Sequence, residues 1–146
     1  MTVIERSIQI NAPLDITFDI SNRLEDWPEI MKEYTRIEIL RLEGSKVWFR
    51  VTLQNDASWT SWRVIHRPGG FAFAERHEPR APFRFMQIVW TYRGISSQKT
   101  EMTWRMNFDL AEAYTQHEQR IFSYLIENTE KNQRRMREHI ERLAGC

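Results

Sequence analysis

From Gln116 to Leu143 the chain contains neither Gly nor Pro. Across that stretch Ile121, Phe122, Leu125, Ile126, Met136, Ile140 and Leu143 recur at helical spacing, with charged residues between them. The pattern predicts one long amphipathic helix whose apolar stripe must be buried by whatever precedes it. Thr115 and Glu118 have the spacing of a capping box at its start, and Gly145 closes it.

What precedes it is built differently. Of the 18 aromatic residues, 15 lie before residue 114, including all six Trp. The middle of the chain reads with a period of two, so alternate side chains point to opposite faces of strands. Tyr34 to Glu43 and Lys46 to Leu53 flank a Gly44-Ser45 turn. Trp59 to His66 and Phe71 to Glu78 flank Pro68-Gly69-Gly70, and Phe83 to Arg93 and Thr100 to Leu110 flank Gly94-Ile95-Ser96-Ser97. A strand at about Val3 to Ile10 leads into Asn11-Ala12-Pro13, then two short helices, Leu14 to Asn22 and Trp27 to Lys32. The expected order is β, α, α, six β, long α. An antiparallel meander has one face to bury, and the long helix is the element large enough to cover it. Between them lies either a plain aromatic core or a ring-lined cavity.

Composition bounds the chemistry. With 146 residues the chain has the length of one domain, expected to span 1–146. Its 21 basic and 20 acidic side chains leave a net charge of +1 without like-charge blocks, which argues against nucleic acid as a partner. None of the five glycines falls into GxGxxG or GxxxxGK[ST], so the nucleotide cofactors those loops hold are not expected. The single Cys146 permits no intramolecular disulfide. Neither a leader-like start nor an 18-residue apolar run appears. The expectation is a cytoplasmic protein with no membrane partner. His66, His77, His117 and His139 lie in separate elements without HxxxH spacing, so no metal is expected; no GxSxG is present either.

The strand ending at Arg67 is more informative. If it alternates without a bulge, Ser61, Arg63, Ile65 and Arg67 share one face, and Thr60, Trp62, Val64 and His66 the other. With Trp62 and Val64 inward, the arginines are ordinary solvated residues. With the other face inward, Arg67, together with Arg63 or alone, becomes a cation in a partly apolar cavity, able to grip carbonyl or enolate oxygens. Met86, Ile88, Trp90 and Tyr92 form an apolar file on one strand; Met102, Trp104, Met106, Phe108 and Leu110 form another on its neighbour. Either file suits packing or a cavity for a flat ligand. Tyr34 follows the second short helix, near Trp27 and Met31, and its hydroxyl is a candidate proton donor.

These residues resemble the monodomain aromatase/cyclases of bacterial type II polyketide synthases, of the tetracenomycin and spore-pigment type, within the START-like, Bet v 1-like (SRPBCC) helix-grip superfamily. The matching stretches run in order from Asn11-Ala12-Pro13 through Glu25-x-Trp27-Pro28-Glu29, Glu33-Tyr34, Glu38-Ile39-Leu40-Arg41, Phe49-Arg50, Asp56-Ala57 and His66-Arg67. They continue with Arg76-x-Glu78-x-x-x-Pro82-Phe83, Met86-x-x-x-Trp90-Thr91-Tyr92-Arg93, Thr100-Glu101-Met102-x-Trp104 and Phe108-Asp109. The resemblance covers residues 7–142 and implies an α+β fold, a seven-stranded antiparallel sheet wrapped around the C-terminal helix and enclosing a cavity. It implies first-ring aldol condensation and dehydration of a poly-β-ketone tethered to an acyl carrier protein, beside a ketosynthase/chain-length factor, with no cofactor.

By position in that resemblance, Arg67 corresponds to the family's pocket arginine and Tyr34 to a tyrosine proposed to assist proton transfer, and Arg67→Ala is expected to fold and to lose the native product. Trp27, Met31, Phe49, Met86, Trp90 and Met106 correspond to pocket-lining positions. Where relatives carry Trp, Trp and Ser before the pocket arginine, a gap-free match puts Ser61, Arg63 and Ile65 here as substrate-binding candidates. The loop from Asp56 is one residue shorter, so a register shift would instead return Trp59 or Trp62 to the pocket. Arg76 and Glu78 line the cavity mouth or form a structural salt bridge. The rival readings are a non-catalytic START-like protein that binds a hydrophobic ligand or shields a polyketide, and a dehydratase or isomerase acting on another cyclic substrate.

Overall fold

The computed structural model describes residues 2–76 and 81–145. Its elements run β1 (Thr2–Ile10), α1 (Leu14–Ser21), a 3-10 turn at Leu24–Asp26, α2 (Trp27–Ile30), β2 (Tyr34–Glu43), β3 (Lys46–Leu53), β4 (Ser58–His66), β5 (Phe71–Arg76), β6 (Phe83–Ser96), β7 (Lys99–Leu110), a 3-10 turn at Glu112–His117, and α3 (Glu118–Ala144). The seven strands form one sheet in the order β1-β7-β6-β5-β4-β3-β2, every pair antiparallel. The first strand therefore closes against the last, and α1 and α2 lie between the strands at the sheet's two edges. This is the helix-grip architecture expected from the sequence.

Burial follows the two periodicities. Met136 and Ile140 of α3 are fully buried beside Ile10, Ile20, Leu24 and Met102. A second cluster joins Leu125 to Ile4, Phe83, Met86 and Phe108. Polar ties fix the grip. Gln133 Nε2 donates to the Arg6 carbonyl at 2.9 Å, and Asn132 Nδ2 donates to Glu33 Oε1 at 2.9 Å, pinning the chain just before Tyr34 against α3. No helix among the described residues is long and apolar enough to cross a membrane.

Three local expectations change. The capping box does not form: His117 precedes α3 without a side-chain cap, and Thr115 Oγ1 bonds the Glu112 carbonyl within the 3-10 turn. That turn uses up the residues which would otherwise start the helix. The third hairpin turns at Ser97-Gln98, because β6 continues past Gly94 to Ser96 through a register shift against β7. The short second helix ends at Ile30, with Met31 already extended. Strand β5 is described to Arg76, and Glu78, its expected end and the partner considered for Arg76, lies outside the described residues, as do His77 and Cys146.

Candidate active site

Strand β4 decides the chemistry of the interior. It alternates without a break against β3 and β5, with Trp48 opposite Trp62 and Val47 opposite Arg63. Ser61 and Arg63 therefore face inward, 6% and 2% exposed. Trp59 joins them by the same period, with no register shift needed. Trp62 points to the outer face, where it meets Phe73 and lies under the Lys46 ammonium.

The inward side chains border a cavity of about 90 Å³. Trp27 of α2 and Met31 just beyond it form one wall, Tyr34 and Phe49 come from β2 and β3, and Met86 and Trp90 from β6. Eight of the residues expected at the site thus meet in one place: Trp27, Met31, Tyr34, Phe49, Ser61, Arg63, Met86 and Trp90. Three do not. Ile65, one alternation beyond Arg63, packs against the main core, and Met106 pairs across from Ile88 and packs into the second cluster.

The third is Arg67, and it requires a correction. Strand β4 ends at His66, and the chain reverses through Pro68-Gly69-Gly70, with Gly70 at φ 67° donating its N–H to the Arg67 carbonyl at 3.1 Å. Arg67 thus leaves the sheet before its side chain can reach the cavity. Its side chain is 61% exposed and forms two parallel bonds to Asp19 on α1, at 2.9 and 3.1 Å. Arg63, and not Arg67, borders the cavity.

Arg63 sits in an unusual setting. Its guanidinium lies 4.2 Å from the Trp90 ring centroid and 5.1 Å from that of Trp27. Trp90 stacks on Trp104 at 4.1 Å with the planes 5° apart, so the cation rests on a double layer of indoles. Nε and Nη2 donate to Asn22 Oδ1 at 3.1 and 2.9 Å. Among the described residues Arg63 has no carboxylate partner, whereas Arg67, Arg84 and Arg93 each have one. Burial lowers its pKa to about 10, with Tyr92 and Tyr34 acting in the opposite direction. It is therefore charged at neutral pH. Asn22 caps the C-terminal end of α1, whose partial negative charge, with the π faces, offsets part of the cost of burying this ion.

Tyr34 supplies the cavity's phenol. Its ring lies 6.3 Å from Trp59, edge to face, and 6.5 Å from Trp27. Burial first, then the nearby Glu33 charge, push its pKa up to about 12, against a lowering by Arg76 and Arg63. It stays protonated across the neutral range. Arg76 also borders the cavity, with its guanidinium 4.7 Å from the Trp59 ring centroid. A fixed cation and a protonated hydroxyl on apolar walls can stabilise a developing oxyanion and return a proton.

Two residues behind Arg63, Asn22 and Tyr92, were not singled out as site residues by sequence reasoning. Inward alternation of Arg63 signals that some acceptor must meet it, but the sequence does not say which.

The comparisons agree with this architecture. A family model described as polyketide cyclase / dehydrase and lipid transport matches residues 1–144. A Streptomyces halstedii protein named "Putative polyketide cyclase" is 43% identical over 93 residues, 60% of this chain and 84% of that protein. One of the same name from Streptomyces cyaneus is 38% identical over 109 residues, 71% of this chain and 70% of the other. Among solved structures, the Zhui aromatase/cyclase from Streptomyces sp. R1128 superposes with a TM-score of 0.86 at 14% identity, covering 97% of this chain and 94% of that one. A START superfamily protein from Mycobacterium smegmatis gives 0.72 at 13% identity, over 97% and 98%. The chain belongs to the polyketide cyclase / dehydrase and lipid transport family.

Proposed function

We propose that the protein directs the first-ring intramolecular aldol cyclisation and dehydrative aromatisation of a poly-β-ketone tethered to an acyl carrier protein, working beside a ketosynthase/chain-length factor in aromatic polyketide biosynthesis. The observation that carries this reading is the Arg63 guanidinium, buried without a carboxylate partner among the described residues, in an aromatic cavity that also holds Tyr34.

A methylene between two ketones is already acidic, so the reaction's demand is control of charge and of conformation. Arg63 would stabilise the enolate oxygen, then the alkoxide formed when the carbon–carbon bond closes. Tyr34, neutral at working pH, would donate its proton to that alkoxide, a stronger base than a phenolate, and regain through solvent the proton lost from the methylene. Elimination of water and enolisation of the remaining ring ketones then yield the aromatic ring. The rings of Trp27, Phe49, Trp59 and Trp90 would hold one fold of a flexible chain and exclude water, bringing one methylene against one carbonyl.

The test is the product profile of a reconstituted minimal synthase with and without this protein. A single regiospecific cyclised product is expected with it and a spread of spontaneous products without it. The apolar walls also favour a second reading, a non-catalytic binder of flat hydrophobic ligands; an unchanged profile on omission would select it.

A further inference from the structure

We propose that Asn22 is a positioning residue: it orients the Arg63 guanidinium through a neutral carbonyl oxygen and withholds the counter-charge that a carboxylate would supply. The proposal rests on the reading of Arg63 as the cavity's oxyanion-stabilising group.

A guanidinium has five N–H donors and no acceptor, so the amide facing it must present oxygen. Two donors, on Nε and Nη2, converge on Asn22 Oδ1. The amide nitrogen must then face away and find acceptors of its own. It does: Nδ2 donates to the Phe18 carbonyl at 2.9 Å and to the Tyr92 hydroxyl at 3.1 Å. The Tyr92 hydroxyl is held in turn 2.7 Å from Ser21 Oγ, which reaches the Phe18 carbonyl at 3.1 Å. The Tyr92 ring packs edge-on against Phe18, centroids 5.0 Å apart. Phe18, Ser21, Asn22 and Arg63 are buried and Tyr92 is half-buried, and neither the amide nor the guanidinium can rotate without stranding a polar group.

A carboxylate at the same place would satisfy Arg63 geometrically, as Asp19 does Arg67. It would also cancel the charge, and it could donate to neither Phe18 nor Tyr92. The amide is the group that fixes direction while leaving the field of the cation intact, and among the described residues no bond holds Nη1 of Arg63, which is left to meet oxygens in the cavity.

The experiment compares Asn22→Asp and Tyr92→Phe with the wild type in the reconstituted synthase, measuring kcat, KM and Tm, with Arg63→Met alongside. For Asn22→Asp we expect kcat to fall about 10- to 100-fold, below the loss for deleting an oxyanion donor outright, because the donors remain and only their charge is offset. KM should change less than twofold, as the cavity walls are untouched, and Tm should shift little, since the counter-ion gained by the buried cation offsets the lost bonds to Phe18 and Tyr92; a role confined to folding would lower Tm clearly and leave kcat alone. For Tyr92→Phe we expect a smaller drop in kcat at unchanged KM. Wild-type kcat in a folded Asn22→Asp protein would overturn the proposal; should that variant not fold, unchanged kcat in Tyr92→Phe would do so. Loss of activity in Arg63→Met with wild-type kcat in both other variants defeats this inference alone, whereas wild-type activity in Arg63→Met defeats the underlying reading.

Discussion

The Arg63 guanidinium lies 4.2 Å from the centre of the Trp90 ring, closer than to any other aromatic partner it has. The contact joins the interior cation to the stacked Trp90–Trp104 pair, so wall and charge are one packed unit. Replacing Trp90 should therefore affect stability in proportion to the π surface removed. Trp90→Leu is expected to cost about 2 to 4 kcal/mol, from lost packing and a cation–π contact worth about 0.5 to 2 kcal/mol. Trp90→Phe keeps a ring under the guanidinium and should cost about half as much. Urea denaturation of the two variants checks the order, and equal losses would contradict it.

Arg67 provides the opposite case. Its ion pair with Asp19 is exposed, and such pairs contribute little, so Arg67→Ala should leave stability nearly unchanged. Lying outside the cavity, it should leave the product profile unchanged. A cyclisation defect in this variant would return the pocket role to Arg67.

Tyr34 should titrate late. Its folded pKa of about 12 exceeds the ordinary 10.0, so folding favours the protonated phenol. The resulting stability is fully present below pH 10 and is lost as pH rises from 10 through 12. Absorbance at 295 nm should show a late phenolate step that is smaller in Tyr34→Phe, the remainder belonging to Tyr92, whose pKa burial also raises. A late step of unchanged size in that variant would contradict the buried setting.

Ala74 offers a test of the cavity that leaves every charge in place. It lies on the cavity wall and is 7% exposed. Ala74→Leu would extend into about 90 Å³ of open space, so stability should stay within about 1 kcal/mol of wild type. Directed cyclisation should fall nonetheless, read as a shift toward spontaneous products. Unchanged products would show that the chain does not fold in this space.

Most of the fold could be read from the sequence because its two periodicities are long and undisturbed. The strand boundaries of β2 and β3, and the stripe of α3, follow directly from spacing. The inward face of β4 was legible as alternation but not as a choice between faces, since either one carries a residue unusual for an interior. Arg67 was misplaced because a positional match outweighed a local signal: a residue followed at once by Pro-Gly-Gly sits at the end of its strand, where side chains leave the sheet. The Asn22 and Tyr92 contacts were not legible at all. They join residues 41 and 71 positions from their partners, Arg63 with Asn22 and Tyr92 with Ser21, through sheet curvature that no local pattern encodes.

The central claim is that the buried cation of the cavity directs cyclisation. Its most direct test is the product profile of the reconstituted synthase with Arg63→Met, a substitution close in length that removes the charge, confirmed folded by its circular dichroism. The regiospecific product should give way to the spontaneous mixture formed without the protein. Wild-type product from the folded variant would contradict it.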